Sequence, residues 1–176
     1  MTLSDTSGDP HTRRGTVTKQ DDGRQRLEFR RSWPDPIEDV WSALTEPDRL
    51  ARWIGKYEGE RRAGGTGTFV MTQEEGDHAG EPTTIVECDP PRRLVIEWVQ
   101  QETENWRVAL DLWTEDGRTW LSFAQDFPAD ADVVDMAMGW HWYLDKLDSV
   151  LSGRPAPTEW ESFIAEVGPA YGRSPS

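Results

Sequence analysis

Apolar positions recur along this chain with two different periods, and the switch between them predicts its elements. Between residues 130 and 153, Val133, Met136, Ala137, Trp140, Tyr143, Leu144, Leu147 and Leu151 fall at spacings of three and four. Those spacings put one wide apolar stripe on a helix. Asp130 is placed to cap it, and Asp132 adds negative charge to its first turn. Gly153 suits the left-handed position after the last turn, and Pro155 blocks continuation. A helix of about 21 residues is roughly 30 Å long, so it needs a large partner surface.

Upstream the period is mostly two. Residues 16–33 read as a first strand, with Leu27, Phe29 and Trp33 on one face and Arg31 out of place on that same face. Asp21-Asp22-Gly23 breaks the segment as a hairpin or a bulged start would. Asp35-Pro36-Ile37-Glu38 has the form of a capping box, followed by Ile37, Val40, Trp41 and Leu44 at helical spacing. Glu46-Pro47-Asp48 stops that helix and starts a second short one, with Leu50 and Trp53 inward and Gly55 at its end. Strands are then predicted over 57–62, 66–73, 83–88, 93–99, 104–113 and 118–127, with a polar loop over 74–82. Trp106, Val108, Leu110 and Leu112 share one face, as do Leu121, Phe123 and Phe127; Trp113 and Trp120 alternate away from it. Such alternation predicts an antiparallel sheet with one wet side. The order is strand, two short helices, about six strands and one long helix. It predicts an α+β fold in which a curved antiparallel sheet wraps around the C-terminal helix.

The ends differ from this body. Residues 1–15 are polar without periodicity and are expected to be a disordered tail, leaving 16–153 as one domain. Residues 154–176 form an extension. In it Thr158-Glu159-Trp160-Glu161 resembles a second capping box, and Trp160, Phe163, Ile164 and Val167 predict a short docked helix.

Charge narrows the function classes. The 176 residues include 33 acidic and 19 basic ones, for a formal net charge of −14. That balance argues against nucleic acid and anionic membrane surfaces, and it disfavours steering of anionic ligands unless a local arginine overrides it. With one cysteine, Cys88, an internal disulfide and a multi-cysteine zinc site are excluded. The first residues have no apolar h-region, and no run approaches the length of a membrane span, so a cytoplasmic protein, monomer or homodimer, is expected.

Several motifs together resemble the START-like, or SRPBCC, superfamily with its helix-grip fold, and within it the group sharing the domain of the heat-shock-protein ATPase activator homologues. They are Pro36-Ile37-Glu38-Asp39-Val40-Trp41-Ser42-Ala43-Leu44-Thr45-Glu46-Pro47 with Leu50 and Trp53; Gly64-Gly65 before Phe69; Glu87-Cys88-Asp89-Pro90-Pro91-Arg92-Arg93-Leu94 with Trp98; and Gly139-Trp140 with Tyr143, Leu144 and Leu147. The resemblance spans roughly residues 24–152 and rests on caps, turns and core positions. It implies a cavity between sheet and long helix that takes apolar or aromatic ligands. It does not extend to the chaperone-ATPase stimulation of the family's best-known member.

Ten tryptophans are many for this length. Trp53, Phe69, Met71, Trp98, Trp106, Phe123, Met136 and Trp140 are candidates to line such a cavity, or else simply to fill the core. Trp113 and Trp120 are candidates for an exposed interaction surface. His141 and Asp145 stand one helical turn apart; a surface or cavity-rim histidine is the expectation, and no metal site is implied. Cys88 is expected to be a plain strand residue. The run Gly64-Gly65-Thr66-Gly67 lacks the Lys-Ser/Thr of a phosphate loop and fits a turn with positive φ. There is no G-x-S-x-G elbow. Glu87, Glu97 and Asp111 are expected on the solvated face, with Arg31 and Arg107 as possible inward partners. A hydrophobic small molecule is the expected partner and no cofactor is implied. A protein-interaction or chaperone-cofactor-like module without a ligand is the alternative, and a cavity enzyme of cyclase or hydrolase type is the third reading.

Overall fold

The computed structural model describes residues 14–72, 80–100, 104–153 and 155–172. His11, His78, the tail before residue 14 and most of the loop expected over 74–82 lie outside the described residues.

The first expected strand is a hairpin, β1 (Thr16–Lys19) and β2 (Gln25–Trp33), with Gly23 at φ +86° in its turn. Two short helices follow, α1 (Ile37–Thr45) and α2 (Pro47–Leu50). Then come β3 (Lys56–Gly59), β4 (Thr66–Val70), β5 (Glu81–Asp89), β6 (Arg93–Trp98), β7 (Trp106–Glu115) and β8 (Arg118–Phe127). The long helix α3 spans Val134–Ser152, and α4 (Trp160–Val167) runs into a 3-10 turn, Gly168–Tyr171. All eight strands join one antiparallel sheet in the order β1-β2-β8-β7-β6-β5-β4-β3. The second strand thus pairs with the last, which joins the N-terminal hairpin to the end of the sheet that curves around α3. This is the helix-grip α+β fold.

Three helix starts depart from expectation. Helix α3 begins at Val134, not beside Asp130; the carboxylate that meets its open end is Asp132, whose Oδ1 accepts from the Val134 N–H at 3.1 Å. Helix α1 begins at Ile37 with no side-chain cap. Asp35 does not close a capping box, because its carbonyl accepts from Thr119 Oγ1 at 2.6 Å and its carboxyl bonds that of Asp39. Burial, then Asp39, pushes the Asp35 carboxyl above the usual range. Helix α4 likewise has Glu159 at its start without a side-chain cap; the Glu159 carboxylate accepts from Ser162 Oγ instead. The C-terminal signal of α3 holds, with Gly153 left-handed at φ +74°.

Helix α3 is buried on more sides than one apolar stripe requires. Leu144 and Leu147 are sealed against the sheet, while Trp142, on another face, is covered edge-on by Trp160 and Phe163 of α4 at 5.4 and 5.1 Å. The α4 segment therefore packs as a second layer on α3. Tyr171 fastens it further: its hydroxyl accepts from the Gly15 N–H at 2.8 Å and lies 2.9 Å from His141 Nδ1. Arg14 Nη1 donates to the Ala170 carbonyl nearby.

This packing carries a pH prediction. Burial pushes the Tyr171 phenol from 10.0 up to about 12. Its folded value lies above its unfolded one, so its contribution is fully present below pH 10 and fades as pH rises toward 12. An ultraviolet absorbance titration is expected to include a late tyrosine step toward pH 12, and the melting temperature to fall across that same window. Tyr171→Phe is expected to reduce the amplitude of that late step by one tyrosine.

Candidate functional site

Side chains on the concave face divide into a filled half and an open half. Trp140 occupies the centre of the filled half. Its ring centroid lies 4.9 Å from Phe123, 5.9 Å from Trp98, 6.4 Å from Trp106 and 6.2 Å from Tyr143. Its indole N–H donates to Gln125 Oε1 at 2.7 Å, which satisfies a buried amide on β8. Phe69 meets Trp98 edge-on at 5.6 Å and extends the cluster toward β4. Trp53 is buried, with its N–H donated to the Ala43 carbonyl. Met71 and Met136 are half-buried against the same core, and Met138, passed over in the pattern, is buried.

The open half lies between helices α1 and α2 and strands β3 to β6. It holds a cavity of about 360 Å3 that opens to solvent on one side. Leu44, Leu50, Phe69, Ile85, Leu94 and Ile96 supply its apolar wall. Phe69 is the one member of the eight aromatic and methionine candidates on that wall. Toward solvent the lining turns polar, with Thr45, Tyr57, Cys88 and the exposed pair Glu46 and Arg61. Arg61 Nη2 donates to Glu46 Oε1 at 3.1 Å across this mouth. Burial and the neighbouring Asp89 raise the Cys88 thiol, while Arg61 opposes them, so Cys88 presents a neutral thiol.

Local backbone chemistry shapes the wall of this half. Gly55 carries the chain from α2 into β3, and a Cβ there would collide with the Val70 carbonyl oxygen. A bulge between Ile85 and Glu87 turns β5. The Gly64 N–H donates to the Ile85 carbonyl at 2.7 Å, and the Ile85 N–H donates to Gly65 at 2.8 Å. The loop bearing Arg61 is thereby tied to the cavity wall. Gly64 has the expected positive φ, at +82°; Gly67 does not, and is needed because a Cβ would strike the Glu58 carbonyl.

Behind α3 lies a buried charge group. Arg31, at 4% side-chain exposure, bonds Asp145 at 2.9 Å and Asp148 at 2.5 Å through Nη1. Trp33 Nε1 donates to the other oxygen of Asp148 at 2.9 Å. His141 corrects the expectation of a surface or rim residue: it is fully buried, with Nε2 3.5 Å from Asp145 and rings of Phe29, Phe163 and Tyr171 packed edge-on around it. The added layer of α4 and its 3-10 turn is what covers it. Arg107 points outward instead, to Glu97, and Arg93 bridges Glu87 and Asp111 on the wet face.

Trp113 and Trp120 are cross-strand partners on that wet face, half-buried rather than exposed. Their rings stack at 6.4 Å and 14°, and both indole N–H groups donate to Glu115, Trp113 to its carboxylate and Trp120 to its carbonyl. Among the described residues no cluster of three or more His, Cys, Asp or Glu is placed to hold a metal ion, and no helix is long and apolar enough to cross a membrane.

Comparison with known proteins agrees with this architecture. The family model described as Activator of Hsp90 ATPase homolog 1-like protein matches residues 34–152. No curated protein matches the chain. Among solved structures, CalU16 from Micromonospora echinospora is 28% identical, with 90% of this chain and 93% of that chain covered at a TM-score of 0.69. A protein from Bordetella parapertussis is 26% identical over 92% of each chain, at a TM-score of 0.71. One from Rhodobacter sphaeroides is 26% identical over 79% of this chain and 98% of that one, at 0.63.

Proposed function

The chain belongs to the Activator of Hsp90 ATPase homolog 1-like family, and from that premise we propose that it is a small-molecule-binding protein. Its site is the cavity between α1, α2 and strands β3 to β6, and its ligand has an apolar or aromatic body. One observation carries this reading: a pocket of about 360 Å3, open to solvent on one side, with a mostly apolar wall and the charged pair Glu46 and Arg61 at its mouth. Ligand sites commonly hold roughly 300–1,000 Å3 and share that division of chemistry.

The aromatic cluster around Trp140 supports the same placement from the other side. Its rings fill the space under α3 by contact with one another, so the volume left for a ligand is displaced toward α1 and α2. The stacking of Trp113 on Trp120, with both N–H groups satisfied within the fold, supports cross-strand stabilisation as their role.

The test uses the neutral fluorophore N-phenyl-1-naphthylamine as probe. It is expected to bind the parent protein with enhanced fluorescence. Ile96→Trp fills the cavity from β6 and is expected to abolish that signal while the protein still melts cooperatively. A folded Ile96→Trp variant that binds the probe as the parent does would overturn the assignment of the site.

A further inference from the structure

The cavity reading names a body for the ligand but no head, and the mouth supplies one. Building on that reading, we propose that the ligand is an amphipathic acid, whose apolar or aromatic body fills the cavity and whose carboxylate takes the place of Glu46 on the guanidinium of Arg61.

Four observations converge on Arg61. First, it is the cation of the cavity lining, and it stands at the mouth where a ligand's polar end would emerge. Second, its existing partner is easily replaced. The Arg61 and Glu46 side chains are 47% and 51% exposed, and an ion pair so open to water contributes only about 0–1 kcal/mol. A carboxylate delivered by a body that buries itself in the cavity competes against that small term. Third, the planar fork engages Glu46 through Nη2, and the same group is suited to bidentate pairing with a carboxylate. Fourth, the loop that carries the arginine is anchored to the cavity wall. It is bonded to Ile85 of the wall through Gly64 and Gly65, and the Arg61 charge is felt by the Cys88 thiol.

Glu46 then has a defined part. It neutralises Arg61 while the cavity holds no acid, and it is the group that a carboxylate must displace. In a chain of net charge −14 the long-range field repels anions, so selection of an acid rests on this one local cation.

The test is competition against bound N-phenyl-1-naphthylamine by 1-naphthylacetate and by its neutral counterpart, 1-naphthylacetamide. The two competitors share one body and differ in the head. In the parent the acid is expected to compete roughly tenfold more tightly than the amide. Arg61→Gln is expected to erase that preference. Glu46→Gln is expected to widen it, because the rival carboxylate is gone. Both sites are exposed enough to leave folding intact, and the acid-to-amide ratio within each variant is the readout, so a change in probe affinity common to both competitors cancels. Equal competition by acid and amide, unmoved by Arg61→Gln while Ile96→Trp still blocks the probe, would overturn the acid assignment and leave the cavity standing. Absence of probe binding to the parent would overturn both.

Discussion

Arg31→Met is expected to destabilise the protein by about 3–5 kcal/mol, the usual cost of removing one member of a buried charge group. The size follows from what is left behind. Asp145 and Asp148 sit on one face of α3 at 9% and 8% side-chain exposure, and Arg31 bonds both. Without it, two carboxylates remain out of water close together, with the Trp33 indole still donating to one of them. The loss is to be read as a shift in the urea midpoint at unchanged slope. Arg31→Met combined with Asp145→Asn and Asp148→Asn removes these three charges together and is expected to recover part of it, because no uncompensated buried carboxylate is left behind. A loss below about 1 kcal/mol for Arg31→Met alone would mean that water reaches this group.

Trp140→Ala carries a comparable expectation, about 3–5 kcal/mol. The indole touches Trp98, Trp106, Phe123 and Tyr143, and these rings lie on four different elements that cannot all close on an alanine. Trp140→Phe keeps part of the ring packing but leaves Gln125 without its indole donor, at a cost of about 1–3 kcal/mol for the unmet buried amide. Trp140→Phe also separates two roles for the aromatic cluster. If the cluster is core, affinity for N-phenyl-1-naphthylamine stays at the parent value while thermal stability falls. If the cluster is the binding site, the affinity falls too, and the cavity beside α1 and α2 loses its assignment.

The fold was legible because its signals are local. Period-two runs such as Val108, Leu110, Leu112 and the breaks at Asp89-Pro90-Pro91 and Glu115-Asp116-Gly117 mark strands and turns that need no distant information. The aromatic candidates were recognisable as inward-facing for the same reason. Whether inward-facing residues touch each other or line a space is a different matter, since both give the same alternation. Leu44, Leu50, Ile85, Leu94 and Ile96 read as ordinary core; they line a cavity because the space between α1, α2 and strands β3 to β6 is not filled by the side chains around it, which no single segment reveals. The mouth pair Glu46 and Arg61 is 15 residues apart on irregular segments and follows no period. The buried charge group left a trace in the sequence: Arg31 falls on an apolar strand face, and Asp145 and Asp148 flank the apolar stripe of α3 one turn apart. That three-way match would have pointed to a buried Arg-Asp contact. The burial of His141 had no such trace, because it depends on how the C-terminal segment folds back.

The most direct test of the cavity as a ligand site is to map where a ligand goes. In a 15N-labelled sample titrated with N-phenyl-1-naphthylamine, backbone amide shifts are expected to cluster at Leu50, Phe69, Ile85 and Leu94. The amides of Trp113 and Trp120 on the outer face are expected to stay in place. Shifts centred on those two tryptophans, with the cavity amides unmoved, would contradict the account and return the outer sheet face to consideration as the working surface.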